Sequence, residues 1–311
     1  MIITLQRTLY LPTTLFGYMI RLLRFAIILF PLFISCEGKR ERIPAYITID
    51  KVDFRYDNVS VLGNGGTAIT DAWIFDNDNL LGVFELPATV AVAAEGEHRL
   101  TVSAGIKLNG ISSTRERYAF YQQWSDDVTL TPLDTIVAEP IVGYFPETGI
   151  SFKEEFENAV SKIDTAPSSD VDLVKTLVSN GPTYLGKFVG LATLTESNPG
   201  FKAYNTDLFM VPVSSTLPMY LELDYKCNQN LIISTLIREP GSGTIENALI
   251  TLRSTEKDGE LQWKHIYIDL TDRFAGQVNA TGFGIGFTAY YNDGNPEGLI
   301  YIDNAKVVNT K

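Results

Sequence analysis

An all-β chain made of two consecutive β-sandwiches is what this sequence predicts, on three observations. Short alternating runs rich in Val, Ile, Thr, Tyr and Phe recur between clusters of Gly, Asn, Asp and Pro. Helical periodicity is scarce. No helix-forming stretch is long enough to cross over between parallel neighbours, which leaves antiparallel two-sheet sandwiches as the natural architecture.

The chain opens with an apolar block, Phe25 to Ile34, behind Arg21 and Arg24. At roughly 10 residues it is half the ~20 a bilayer-spanning helix needs, so it reads as the core of a signal peptide over residues 1–35. Met19 begins MIRLLRFAIILFPLFISC, a complete signal peptide in itself, and is the expected true start. The stretch Phe33-Ile34-Ser35-Cys36 resembles a bacterial lipobox. That resemblance implies that Cys36 is acylated and becomes the first mature residue; an ordinary secretory signal is the alternative. Each buried acyl methylene contributes about 0.8 kcal/mol, so several chains on Cys36 hold a protein on a membrane without a transmembrane helix.

Charge narrows the partners. The chain carries 25 Lys and Arg against 37 Asp and Glu, and losing Arg7, Arg21 and Arg24 with the leader takes the balance from −12 to −15. Such a field repels phosphate backbones and anionic headgroups, which argues against nucleic acid and leaves membrane attachment to the lipid. Beside Cys36 only Cys227 remains, so stability has to come from cores rather than an intramolecular disulfide framework. About 275 mature residues suit two domains.

After a charged tether at 36–44, the first domain is expected over 45–146. TDAWIFDNDNLLGVFEL forms two β-rich arms around Asp76-Asn77-Asp78-Asn79, residue types that tolerate tight turns. These acids do not make a calcium-binding EF-hand loop, because Leu80 and Leu81 stand where a ligand and a glycine are required. Two further strands meet at Glu95-Gly96-Glu97, and His98 shares a face with Leu100 and Val102 as a satisfied residue at the core's edge. ERYAFYQQW, residues 116–124, reads as one strand with Tyr118, Phe120, Gln122 and Trp124 on one face, a sandwich rim or a sugar-binding strip. The run LGVFELPAT followed by EGEHRLTV resembles PEGA-like and other immunoglobulin-like sandwiches of bacterial envelope proteins, which implies a spacer or interaction module.

Pro and two Gly in GYFPETG mark a break, and the second domain is expected over 147–311. In MYLELDYKC, Met219, Leu221, Leu223, Tyr225 and Cys227 form one face and Tyr220, Glu222, Asp224 and Lys226 the other. Cys227 therefore belongs to the core. The opening EEFENA and the close, LQWKHIYIDLTDRF through GFGIGFTAYY to LIYIDNAKVV, resemble jelly-roll carbohydrate-binding modules, a galactose-binding-like sandwich. In that family a Glu after the opening Phe and the Asp of the terminal strand often help hold a structural calcium, a role the resemblance implies for Glu157 and Asp303. The other reading is an ordinary Asp-Asn strand end, since calcium takes six to eight oxygens and only two are nameable. No other cofactor is expected.

In WKHIYIDL, alternation places Lys264, Ile266, Ile268 and Leu270 inward and Trp263, His265, Tyr267 and Asp269 outward. GFGIGFTAYY sends Phe283, Ile285, Phe287, Ala289 and Tyr291 inward and Gly282, Gly284, Gly286, Thr288 and Tyr290 outward. If the two strands are neighbours, the glycines form a bare floor walled by Trp263, His265, Tyr267 and Tyr290, which suits a sugar ring. The alternative is aromatic rescue, in which Trp263 or Tyr267 lies over those glycines.

Two histidines, one per expected domain, do not build an HExxH or shared metal site, and no G-x-S-x-G elbow or phosphate loop is present. A glycosidase acid pair stays open, because its members need meet only in space. The expected function is a lipid-anchored, non-catalytic envelope binding protein that recognises a glycan or another envelope protein. A structural accessory subunit of an outer-membrane complex, or a glycoside hydrolase, are the alternatives. The whole resembles envelope lipoproteins of the Bacteroidota type, which implies an outer-membrane location, facing the cell surface or the periplasm.

Overall fold

Residues 42–57, 59–178, 181–182, 186–214, 216–292 and 294–311 are described by the computed structural model. The leader, Met19 and Cys36 lie outside the described residues. The chain is all-β, as its patterning predicts.

The N-terminal part contains β1 (Ala45–Ile49), β2 (Asp53–Phe54), the single-turn helix α1 (Val59–Leu62), β3 (Ile69–Asp76), β4 (Asn79–Glu85) and β5 (Ala88–Val92). After these come β6 (Gly96–Lys107), β7 (Arg115–Arg117), β8 (Trp124–Leu130), β9 (Thr135–Val137) and β10 (Ile141–Val142). One sheet runs β4-β3-β6-β7, with β8 also on β6, and faces a three-stranded sheet β5-β1-β9 across a core containing Ile47, Ile49, Ile74, Leu100, Val102 and Ile106. The β3–β4 hairpin closes as its sequence predicts: Asn77 and Asp78 take φ of 45° and 66°, the left-handed pair a two-residue turn of matching twist requires.

The C-terminal part is built from β11 (Thr148–Glu154), β12 (Ile163–Thr165), β13 (Val174–Leu177), β14 (Phe188–Leu194), β15 (Gly200–Asn205), β16 (Met219–Cys227) and β17 (Leu231–Glu239). It continues through β18 (Gly243–Leu252), β19 (Glu256–Lys257), β20 (Glu260–Leu261), β21 (Lys264–Asp269), a short helix α2 (Thr271–Phe274), β22 (Gly282–Tyr290) and β23 (Gly298–Thr310). Two antiparallel sheets, β13-β14-β23-β16-β21 with β11 also on β23, and β12-β15-β22-β17-β18, enclose one apolar core. Met219, Leu221, Leu223, Tyr225 and Cys227 all enter it, alongside Ile266, Ile268, Leu270, Phe283, Ile285, Phe287 and Ala289. The alternation read from these segments holds, except that Lys264, expected inward, is exposed at the start of β21.

Three expectations are overturned. First, β21 and β22 lie in different sheets and are not neighbours, so Trp263, His265 and Tyr267 do not wall a floor made by Gly282, Gly284 and Gly286, and Tyr290 belongs to the opposite face of the sandwich. The glycines are covered instead by Leu208, Asn205 and Tyr204: a Cβ on Gly284 would stand 2.5 Å from Asn205 Oδ1, and one on Gly286 3.0 Å from the Tyr204 ring. Aromatic rescue is thus performed by Tyr204. Second, residues 116–124 are not one strand. Pairing with β6 stops at Arg117 and resumes at Trp124, while Tyr118, Phe120 and Tyr121 turn away and are buried, Tyr121 bridging to Tyr144 instead.

Third, the outward face of β16 and β21 does not meet solvent along its whole length. Pro44–Lys311 forms one compact unit, and Tyr220, Tyr267 and Val308 from the C-terminal part complete the N-terminal core. Tyr118, Phe120, Tyr121 and Tyr144 cover this half of the face. The rings of Tyr118, Phe120 and Tyr121 interlock with Tyr220 and Tyr267 at centroid distances of 4.7–6.3 Å, the range of favourable edge and tilted aromatic pairs, and Tyr144 packs on Tyr121 at 5.3 Å.

Candidate functional site

A β-bulge determines what this face offers. Asp224 pairs with Asp303, yet Glu222 pairs with Lys306, so β23 carries one residue more than β16 between the two pairs. Asn304 sits in that extra position with φ of 47°. The insertion reverses the side-chain parity of the strand, which lets Asp303 and Lys306 share a face while Ala305 and Val307 still point into the core.

Beneath the aromatic cover the result is a buried polar network. Glu222 accepts hydrogen bonds from the hydroxyls of Tyr118 and Tyr144 and pairs with Lys306 at 3.0 Å. Asp224 accepts from the Gly66 amide at 2.8 Å, the Asn304 side-chain amide at 3.0 Å and His265 Nδ1 at 2.8 Å. Tyr121 and Tyr267 join hydroxyls at 2.9 Å, and Lys306 also donates to the Asn64 carbonyl at 3.3 Å. Burial pushes the Glu222 carboxyl up, but Lys306, His265 and the two tyrosine hydroxyls outweigh it and leave it below its ordinary value. Burial raises the four tyrosines Tyr118, Tyr121, Tyr144 and Tyr267 well above theirs, so all four stay neutral donors. His265 Nε2 has no hydrogen-bond partner, its nearest carboxylate oxygen being Glu222 Oε2 at 3.9 Å.

The same face opens further along the strands. Past His265, Trp263 is half-buried and lies 6.1 Å from the Tyr301 ring, and Lys226 places its ammonium 5.2 Å and 4.2 Å from the two ring centroids. Leu191 stands opposite Tyr301 in the next strand, with Val174 beyond it, 55% exposed. Lys226 has no carboxylate partner among the described residues, and burial lowers its ammonium below the usual lysine range. Of the four residues expected to bind ligand, then, His265 and Tyr267 lie in the covered half, Trp263 in the open half, and Tyr290, 63% exposed, on the other sheet. Sequence reading missed Tyr301 and Lys226; both follow by alternation from Ile302 and Cys227 once β16, β21 and β23 are known to be neighbours.

Asp303 and Glu157 meet the calcium expectation unequally. The Asp303 carboxyl is buried without a cationic partner, and burial, with Asp224, Glu157 and Glu155 nearby, pushes it up to about 9 although the Asn304 amide donates to it. An uncompensated acid of this kind fits a cation. Glu157 Oε1 is occupied by the amides of Lys187 and Phe188 at 2.6 Å and 2.9 Å, which leaves Oε2. Among the described residues no three His, Cys, Asp or Glu side chains are grouped to hold a metal, so any further ligands would be backbone, amide or hydroxyl side-chain, or water oxygens.

The fold defines an all-β protein with an antiparallel sandwich at its C-terminal end. No family model matches the chain, and no curated protein matches it. Solved structures similar to it include the C-terminal family 22 carbohydrate-binding module of Clostridium thermocellum Xyn10B (13% identity, 52% of this chain and 94% of that one, TM-score 0.36). A CBM28 module specific for non-crystalline cellulose overlaps 50% of this chain and 91% of its own at 14% identity, TM-score 0.37. A structure from a study of promiscuous carbohydrate-binding modules of the β-sandwich superfamily overlaps 86% and 99% at 13% identity, TM-score 0.40. These are partial overlaps.

Proposed function

We propose that the protein is a lipid-anchored, non-catalytic binding protein of the bacterial envelope, which recognises a glycan on the open half of the β14-β23-β16-β21 face. One observation carries this reading: Trp263 and Tyr301 flank Lys226, which has no carboxylate partner among the described residues, on a half-exposed strip edged by Leu191 and Val174. Flat apolar rings take the face of a sugar, and an ammonium held between them donates to ring hydroxyls or a carboxylate without having to be ordered on binding. The covered half is the mount. Its acids, Glu222 and Asp224, are committed to Lys306, His265 and tyrosine hydroxyls, which favours binding over hydrolysis.

The N-terminal, immunoglobulin-like part is then a spacer fixed to the binding module. Cys36 carries the acyl chains, and calcium at Asp303 and Glu157 stiffens the bulged strand. Affinity electrophoresis of the full mature chain, wild type against Trp263→Ala, tests the glycan reading. Mass spectrometry of the processed amino terminus tests the anchor: an acyl-modified Cys36 is the expected mass, and an unprocessed leader removes this part of the proposal.

A further inference from the structure

The outer face of the β4-β3-β6-β7 sheet bears a second concavity, remote in sequence from the Trp263 strip. It is a groove of about 480 Å³ that opens where β7 ends and β8 has not yet begun, and it is lined by Trp73, Ser103, Arg117, Ala119, Gln123 and Phe145, among others. Three features set its chemistry. Arg117 has no carboxylate within ion-pair distance among the described residues, whereas its neighbour Arg115 is engaged by both Asp71 and Glu85. The Arg117 guanidinium is instead held over two rings, 5.6 Å from the Trp73 centroid and 5.9 Å from that of Phe75. Glu116, which contributes to the rim, alternates to the opposite face of β7 from Arg117.

Gln123 donates to the Ser103 hydroxyl at 2.8 Å, and among the described residues neither the carbonyl oxygen of the exposed Gln123 nor the proton of Ser103, which is 5% exposed on the groove floor, has another side-chain partner, so both are available to hydroxyl groups. Phe145, 39% exposed, presents an apolar ring. A preoriented guanidinium without a counter-ion, a pair of hydroxyl-matching groups and an aromatic face in one groove match a sugar that carries a carboxylate.

We propose that this groove binds an acidic saccharide, with Arg117 meeting the uronate carboxylate, Gln123 and Ser103 its hydroxyls, and Phe145 the face of the ring. Trp73 and Phe75 act as positioning residues that fix the guanidinium. This site is independent of the Trp263 strip and survives if that strip binds nothing.

The test is isothermal titration of the full mature chain carrying Trp263→Ala, which removes the other candidate face, with trigalacturonate and with uncharged galactotriose as probes. Saturable binding of trigalacturonate, and none of galactotriose, is expected. Arg117→Ala should weaken it by about tenfold to a hundredfold, the range of one charge-assisted contact. Arg117→Lys should recover only part of the loss, because the ammonium lacks the two-pronged geometry. Thermal melting checks that each variant folds, and Gln123→Ala, at an exposed position, supplies a second probe expected to weaken binding as well. Absence of trigalacturonate binding, equal binding by Arg117→Ala, or equally tight binding of a glutamate-rich peptide would overturn the proposal.

Discussion

Tyr118 donates its hydroxyl to Glu222, a residue 104 positions later, and the bond is wholly buried. It fastens the N-terminal part to the outer face of the C-terminal sandwich. The Glu222 carboxyl is held below its ordinary value there because Lys306, His265 and two tyrosine hydroxyls together outweigh its desolvation. Removing one partner of such a buried pair leaves an uncompensated charge, which typically costs about 3–5 kcal/mol, while losing a single donor to it costs roughly 1–3 kcal/mol. Urea unfolding should therefore rank Lys306→Met as more damaging than Tyr118→Phe. The double variant Glu222→Gln/Lys306→Met should cost less than the two single changes added together.

The Asp303 carboxyl yields a pH prediction. Its folded value, about 9, lies above the ordinary 3.8, so the native state holds a proton that the unfolded chain gives up. Stability from this group is complete below about pH 4 and is lost as pH rises towards 9. In EDTA, Asp303→Asn should thus melt above wild type at neutral pH and converge with it in acid. Calcium should raise the wild-type melting temperature at pH 7 and leave Asp303→Asn unmoved; no calcium response in either would retire the metal.

Much of this could be read in the sequence, and the part that could not has physical causes. Period-two alternation located the core faces of residues 219–227 and 263–270, because successive side chains of a strand point to opposite faces and only one face of each strand is apolar throughout. What covers the other side could not be read, since the cover is Tyr118 to Tyr121, a non-strand segment distant in the chain. Lys306 was hidden by the bulge at Asn304: strict alternation from Asp303 would point it into the core. The strand neighbours decided the rest, for only adjacency brings Tyr301 and Lys226 to Trp263.

The covered glycines should tolerate little. A Cβ at Gly284 would sit 2.5 Å from Asn205 Oδ1 and 3.1 Å from Leu208, and Asn205 is itself held by the Ile285 amide at 2.7 Å. Overpacking of this kind costs about 1–3 kcal/mol, so Gly284→Ala should lower the urea midpoint without changing the slope of the transition.

Cys227 sits in the sandwich core, where burial pushes its thiol up to about 11. The thiolate is the reactive form, so in a Cys36→Ser chain the folded protein should resist iodoacetamide at pH 8 and label fully once unfolded in urea.

The open strip of Trp263, Lys226 and Tyr301 is where a glycan would bind. Affinity electrophoresis of the full mature chain through gels containing soluble xylan, β-glucan or pectin measures this binding directly. Retardation of wild type by at least one of these, lost in a Trp263→Ala variant that melts normally, is the predicted result. Equal mobility of the two proteins in every gel would contradict it.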